Sequence, residues 1–99
     1  MVTPKKLYNN KPGTTSATLA TAVLGKTTIA KEITLTNTSG TSATVTILFD
    51  GTEILAAKSV PPNETIVLAL SSVLEPGDLI TGIQGTANAI AVTISGVEM

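Results

Sequence analysis

Apolar and polar residues alternate along most of this chain with a period of two, the spacing that sends every second side chain to one face of a strand. In residues 41–49, Ala43, Val45, Ile47 and Phe49 share one face and Ser42, Thr44, Thr46 and Leu48 the other. In residues 29–37, Ile29, Ile33 and Leu35 alternate with Ala30, Glu32, Thr34 and Thr36, and Lys31 falls on the apolar side, which places it at an edge. Residues 64–70 turn Ile66, Leu68 and Leu70 inward, and residues 89–95 do the same with Ile90, Val92 and Ile94. Residues 14–23, 52–57 and 78–84 complete the set; in the first of these Ala17, Leu19 and Val23 are expected to share a face. No window carries a 3.6-residue apolar period, and the one helical element expected is a single turn at 71–75.

The breaks between these runs are turn-forming. Asn37-Thr38-Ser39-Gly40 separates two of the clearest strands, which therefore read as an antiparallel hairpin. Asp50-Gly51 is a tight hairpin signal. Val60-Pro61-Pro62-Asn63 is a loop, because neither proline has an N–H for a ladder. Glu75-Pro76-Gly77-Asp78 fits a type II turn, with Asp50 and Asp78 accepting backbone hydrogen bonds in their respective turns. About seven strands at this spacing predict an all-β, compact antiparallel β-sandwich, immunoglobulin-like or a small jelly roll.

Composition sharpens this picture. With 99 residues the chain supports one domain, and its core is almost wholly aliphatic: Val, Ile and Leu number 8, 9 and 10, against one Phe and one Tyr. Thr and Ser number 18 and 7, which suits the exposed faces of a pleated sheet. Charge is uneven. Residues 1–13 hold Lys5, Lys6 and Lys11 and no acid, whereas residues 14–99 carry a net charge of −4. The expected division is an extended N-terminal arm over 1–13 and a β-sandwich domain over 14–99. The arm is expected to order only on docking against an acidic neighbour, with Lys5, Lys6, Tyr8 and Lys11 as its contacts. No apolar stretch follows these lysines as a secretory signal requires, so synthesis in the cytoplasm is expected, and no run has the length of a membrane span.

Candidate chemistry is sparse. The chain has no Cys, His, Trp or Arg, which removes disulfides, the usual zinc, haem and Fe–S ligation, and Cys or His catalysis. The acids Glu32, Asp50, Glu53, Glu64, Glu75, Asp78 and Glu98 are scattered, and Asp50-Gly51-Thr52-Glu53 offers only two ligands for calcium. Gly25-Lys26-Thr27 resembles the end of a phosphate loop, but Ala20 stands where the earlier Gly belongs and a strand follows in place of a helix. Nucleic-acid binding lacks both basic surface and stacking rings, and sugar stacking has only Tyr8. Asn37-Thr38-Ser39 and Asn63-Glu64-Thr65 match glycosylation acceptors by chance. The expectation is a chain with no catalytic residue, metal or cofactor, and no nucleic-acid or membrane partner.

Six units resemble a known group of proteins. They are Lys6-Leu7-Tyr8, Leu35-Thr36-Asn37-Thr38, Val45-Thr46-Ile47 and Pro62-Asn63-Glu64-Thr65-Ile66-Val67-Leu68. Val73-Leu74-Glu75-Pro76-Gly77-Asp78-Leu79-Ile80 and Val92-Thr93-Ile94-Ser95-Gly96-Val97-Glu98 complete the set. Together, from about Leu7 onward, they resemble the small β-sandwich virion structural proteins of tailed bacteriophages, of the capsid decoration or neck-tail accessory type. The resemblance implies a non-enzymatic particle protein located in the virion. It implies the major capsid protein or neighbouring virion proteins as partners, and a homo-oligomer, with a trimer favoured. The favoured role is capsid decoration. The alternative is a neck, tail or fibre-tip component that forms a ring or binds a host surface.

Overall fold

The computed structural model describes residues 3–99. It contains eight strands and, among the described residues, no helix long and apolar enough to cross a membrane. The strands are β1 (Thr3–Asn10), β2 (Ala17–Thr21), β3 (Thr28–Asn37), β4 (Ala43–Phe49), β5 (Thr52–Val60), β6 (Thr65–Leu74), β7 (Leu79–Gln84) and β8 (Ile90–Glu98).

They form two four-stranded antiparallel sheets, in the orders β1-β8-β3-β6 and β2-β7-β4-β5. First pairs with last, second with seventh, third with sixth and fourth with fifth. A long hairpin rolled up in this way is a jelly roll. The order thus selects the jelly roll over the immunoglobulin-like sandwich.

The core lies between the sheets and is aliphatic, as the pattern predicts. Ile33, Leu35, Ile90, Val92 and Ile94 of the first sheet are fully buried against Val45, Ile47, Val60 and Ile80 of the second. Phe49 closes one end of this layer. Burial of apolar area at roughly 25 cal/mol per Å² is what holds the two sheets face to face.

Several sequence expectations are corrected. Strands β3 and β4 are not a hairpin: they belong to different sheets, and residues 38–42 carry the chain across the sandwich. Both strands present an apolar face to the same core, a pattern that facing sheets produce as readily as paired strands. Residues 71–75 form no helical turn, because β6 runs on to Leu74 beside β3. The eighth strand is β1. Its Pro, Lys and Asn residues give no alternation, and it is a strand because β8 supplies its backbone partners.

Lys31 sits at no edge. β3 lies between β8 and β6, and Lys31 is the unpaired residue of a bulge where the register shifts between Ala30 and Glu32. The bulge resets the alternation: Thr28 and Ala30 point inward before it, and Ile33, Leu35 and Asn37 after it. Ile29, expected inward, therefore faces out. In β2 a similar shift at Leu19 makes Ala22, at 4% exposure, the buried residue in place of Val23.

Two turns take the geometry expected of them. Asp50 and Gly51 have φ of 50° and 81°, the pair of left-handed values that a type I′ hairpin turn between β4 and β5 requires. At Glu75-Pro76-Gly77-Asp78 the Asp78 amide donates to the Glu75 carbonyl, and the Glu75 amide donates to Asp78 Oδ2. Asp50 differs from the expectation: among the described residues its carboxylate accepts no backbone hydrogen bond, and the turn geometry is carried by its backbone.

Candidate interaction surfaces

Among the described residues no group of three or more metal-ligating side chains converges. What the fold builds instead is a set of surfaces and edges. The outer face of the first sheet is made of cross-strand rows in which hydroxyl residues sit among charged, amide and aliphatic ones. One row runs Asn9, Thr93, Thr34 and Val67; the next runs Lys6, Ser95, Glu32 and Ala69. Thr93 Oγ1 donates to Asn9 Oδ1 at 3.0 Å, and the hydroxyls of Thr36 and Thr65 lie 3.2 Å apart.

A groove of about 500 Å³ crosses this face over β8. Pro4, Lys5 and Lys6 of β1 form one wall, Lys31 of β3 the other, and Thr93, Ser95 and Val97 the floor. The bulge at Lys31 and the register shift in β1 between Lys6 and Tyr8 fall on either side of Ser95 of β8. That alignment brings half of the six lysines to one groove.

Each lysine has a different role there. Lys5 Nζ pairs with Glu98 Oε2 at 2.8 Å, and Lys26 Nζ approaches Glu98 Oε1 at 3.5 Å. The Lys5 hydrogen bond and the two positive charges hold the Glu98 carboxyl below its ordinary value. Lys31 Nζ reaches Ser71 Oγ at 3.4 Å across the bulge. Lys6 is exposed, and among the described residues neither it nor Lys31 forms an ion pair.

The four residues expected on the arm are thus separated. Met1 and Val2 of that segment lie outside the described residues, and Thr3–Asn10 run along β8. Lys5 and Lys6 line the groove. Tyr8 is half-buried with its ring packed on the core, and this burial raises its phenol above its ordinary value. Lys11 sits just beyond the far end of β1, donating to Thr38 Oγ1 at 3.2 Å and to the Asn88 carbonyl at 3.1 Å.

Two buried amides hold the ends of the sandwich together. Asn37 Nδ2 donates to the carbonyls of Thr41 and Val60, at 2.8 and 2.9 Å, while its Oδ1 accepts from the Ser39 amide and hydroxyl. All its capacity is used within the fold, on the crossover and the end of β5, so this Asn is no glycosylation acceptor. Gln84 Nε2 donates to the carbonyls of Pro12 and Ile90, and its Oε1 accepts from the Ile90 amide. Gln84 does not stand out in the sequence, and Asn37 reads there as a turn residue and not as a buried amide. The available signal was a lone amide at an inward position of an otherwise apolar strand.

A second cleft, of about 250 Å³, lies on the outer face of the other sheet. Its lining of Thr14, Thr44, Thr46 and Ile83 brings no charged group. Thr46 is occupied structurally: its hydroxyl accepts from the Ala57 amide at 3.0 Å, where β5 bulges at a φ of 48°.

No family model and no curated protein matches the chain. Among solved structures it is similar to the CBM35 from Paenibacillus barcinonensis, at 14% identity and a TM-score of 0.45, over 97% of this chain and 87% of that one. It is also similar to a pentameric capsid protein isolated from metagenomic phage sequences, at 16% identity and a TM-score of 0.40, over 98% of this chain and 59% of that one. A further structure described in the same terms gives 17% identity and a TM-score of 0.28, over 98% of this chain and 63% of that one. These likenesses are weak, and the jelly-roll assignment rests on the strand order alone.

Proposed function

We propose that the protein is a non-enzymatic structural component of a tailed-phage virion, a capsid decoration protein that binds the outer surface of the major capsid lattice. The resemblance of the six sequence units to small virion proteins supports the particle assignment. The observation that carries the binding mode is the outer face of the first sheet. It is broad, with Ser and Thr along β8, and Lys6 and Lys31 border its groove without ion pairs among the described residues, Glu32 being the acid of the same row. On a chain that is acidic beyond its first strand, such a face complements an acidic neighbour.

Jelly rolls serve both capsids and carbohydrate-binding domains, so the fold does not choose between them. The rings argue against sugar. Sugar platforms stack on exposed aromatics, whereas Tyr8 and Phe49 both pack with the core.

The test is fractionation of particles from the source into heads and tails, with the copies of this protein counted in each. Recovery with heads at several hundred copies supports decoration. Recovery with tails or necks in a few dozen copies or fewer moves the assignment to a ring or tip component. Absence from both fractions overturns the virion reading.

A further inference from the structure

A sandwich of two four-stranded sheets has four edge strands, here β1, β6, β2 and β5. Edges expose unpaired N–H and C=O groups, and proteins block them with charge, proline, bulges or short length. Three of the four are blocked in this way. β1 carries Pro4, Lys5 and Lys6 and shifts register after Lys6. β2 has only five residues and shifts register between Thr18 and Ala20. β5 carries Glu53 and Lys58 and breaks register twice.

β6 is different. Its ten residues, Thr65–Leu74, include no charge and no proline. It pairs with β3 without a break from Thr65 to Ala69, the register shifting only beyond that point. Val67 is 58% exposed on its outer side, while Ile66 and Leu68 on its inner side remain half-buried. β1 packs against β2 and closes the sandwich there, but no comparable packing joins β5 to β6.

The direction of the free backbone groups follows from the ladder. The Asn37 amide donates to the Glu64 carbonyl at 2.9 Å, so Glu64 faces β3. Antiparallel pairing alternates, so Ile66 and Leu68 also spend their backbone groups on β3. Thr65, Val67 and Ala69 then aim theirs at the open edge.

We propose that β6 is a self-association edge, on which β6 of a second copy pairs antiparallel about a twofold axis at Val67. In that register Val67 pairs with its own counterpart and Thr65 with Ala69 of the other copy, giving about six ladder hydrogen bonds. Ile66 meets Leu68 of the other copy on the inner side, extending both half-buried rows. The occupant is a second copy because the edge is neutral. A β1 or β5 strand brings charge onto an uncharged apolar strand, and β2 is neutral but only five residues long and broken in register, whereas β6 is both neutral and long. Antiparallel edge pairing of identical strands is isologous and closes at two. The resulting dimer differs from the trimer that the sequence resemblance implies, and it stands independently of the virion reading.

The test uses Val67→Pro in the full chain. Val67 gives no hydrogen bond to β3, so proline there leaves the β3–β6 ladder intact while removing the central donor of the proposed pairing. Sedimentation velocity from about 1 µM to about 1 mM, alongside circular dichroism, is the measurement. The expected result is a concentration-dependent dimer for the wild type and self-association at least about a hundredfold weaker for a folded Val67→Pro. Should that variant fail to fold, Val67→Lys, which sets two like charges face to face, gives the same readout. A wild type that stays monomeric throughout, a trimer, or a dimer untouched by the folded variant overturns the proposal.

Discussion

The side-chain amide of Gln84 donates to the main-chain carbonyl of Pro12, joining the segment after β1 to the end of β7 in the opposite sheet. The neighbouring Gln84 amide reinforces this tie by donating to the Gly13 carbonyl at 3.0 Å. The side chain is 1% exposed, and its remaining bonds go to both polar groups of the Ile90 backbone. Gln84→Leu orphans the Ile90 N–H and two carbonyls together. The expected loss is about 3 kcal/mol, with a fall in Tm of more than about 10 °C, read by thermal and urea unfolding.

Thr28 gives the opposite case. Its hydroxyl is buried and, among the described residues, has no hydrogen-bond partner. Thr28→Val keeps the branched shape that suits β3 and removes the desolvated group. A gain of about 1 kcal/mol in urea unfolding is expected, and a loss would show that the hydroxyl is satisfied in solution.

Gly96 sits opposite Ala30, where the β3 bulge brings two backbones together. A Cβ there falls on the Ile29 carbonyl oxygen and lies 3.0 Å from Ala30 Cα, both main-chain atoms that no side-chain rotation relieves. Gly96→Ala is expected to cost about 3 kcal/mol, against at most about 0.5 kcal/mol for Gly40→Ala, whose Cβ meets open space.

The Lys5–Glu98 pair ties β1 to β8. Because folding lowers the Glu98 carboxyl, its contribution is fully present above the ordinary carboxylate value and is lost as pH falls through the depressed folded value. Wild-type Tm should therefore drop on the acid side more steeply than that of Glu98→Gln, the two curves converging at low pH. Parallel curves would show that the pair contributes nothing.

Charge reversal tests the docking face. The double variant Lys6→Glu, Lys31→Glu alters two side chains that the core does not use, so Tm should move by less than about 1 kcal/mol equivalent. Binding to undecorated heads should fall by more than about tenfold, and wild-type binding should weaken with added salt. Unchanged binding would take the groove out of the interface.

The alternating pattern by itself determined the all-β class, the inward residues of β4, β6 and β8, and the turns at Asp50-Gly51 and Pro76-Gly77, because those features depend on residues close in sequence. Composition determined the absence of thiol, imidazole and guanidinium side chains. Tertiary structure decided the rest. Alternation states that Ile33 and Ile47 face a core, but not whether their strands pair side by side or face each other across it. Only the long-range pairing of β1 with β8 and β4 with β7 settles that as a jelly roll. The same long-range pairing turns the polar first segment into a strand, places Lys31 in a bulge across β8 from Lys6, and leaves β6 as the one long uncharged edge, since edge positions are properties of the assembled sheet and not of any strand within it.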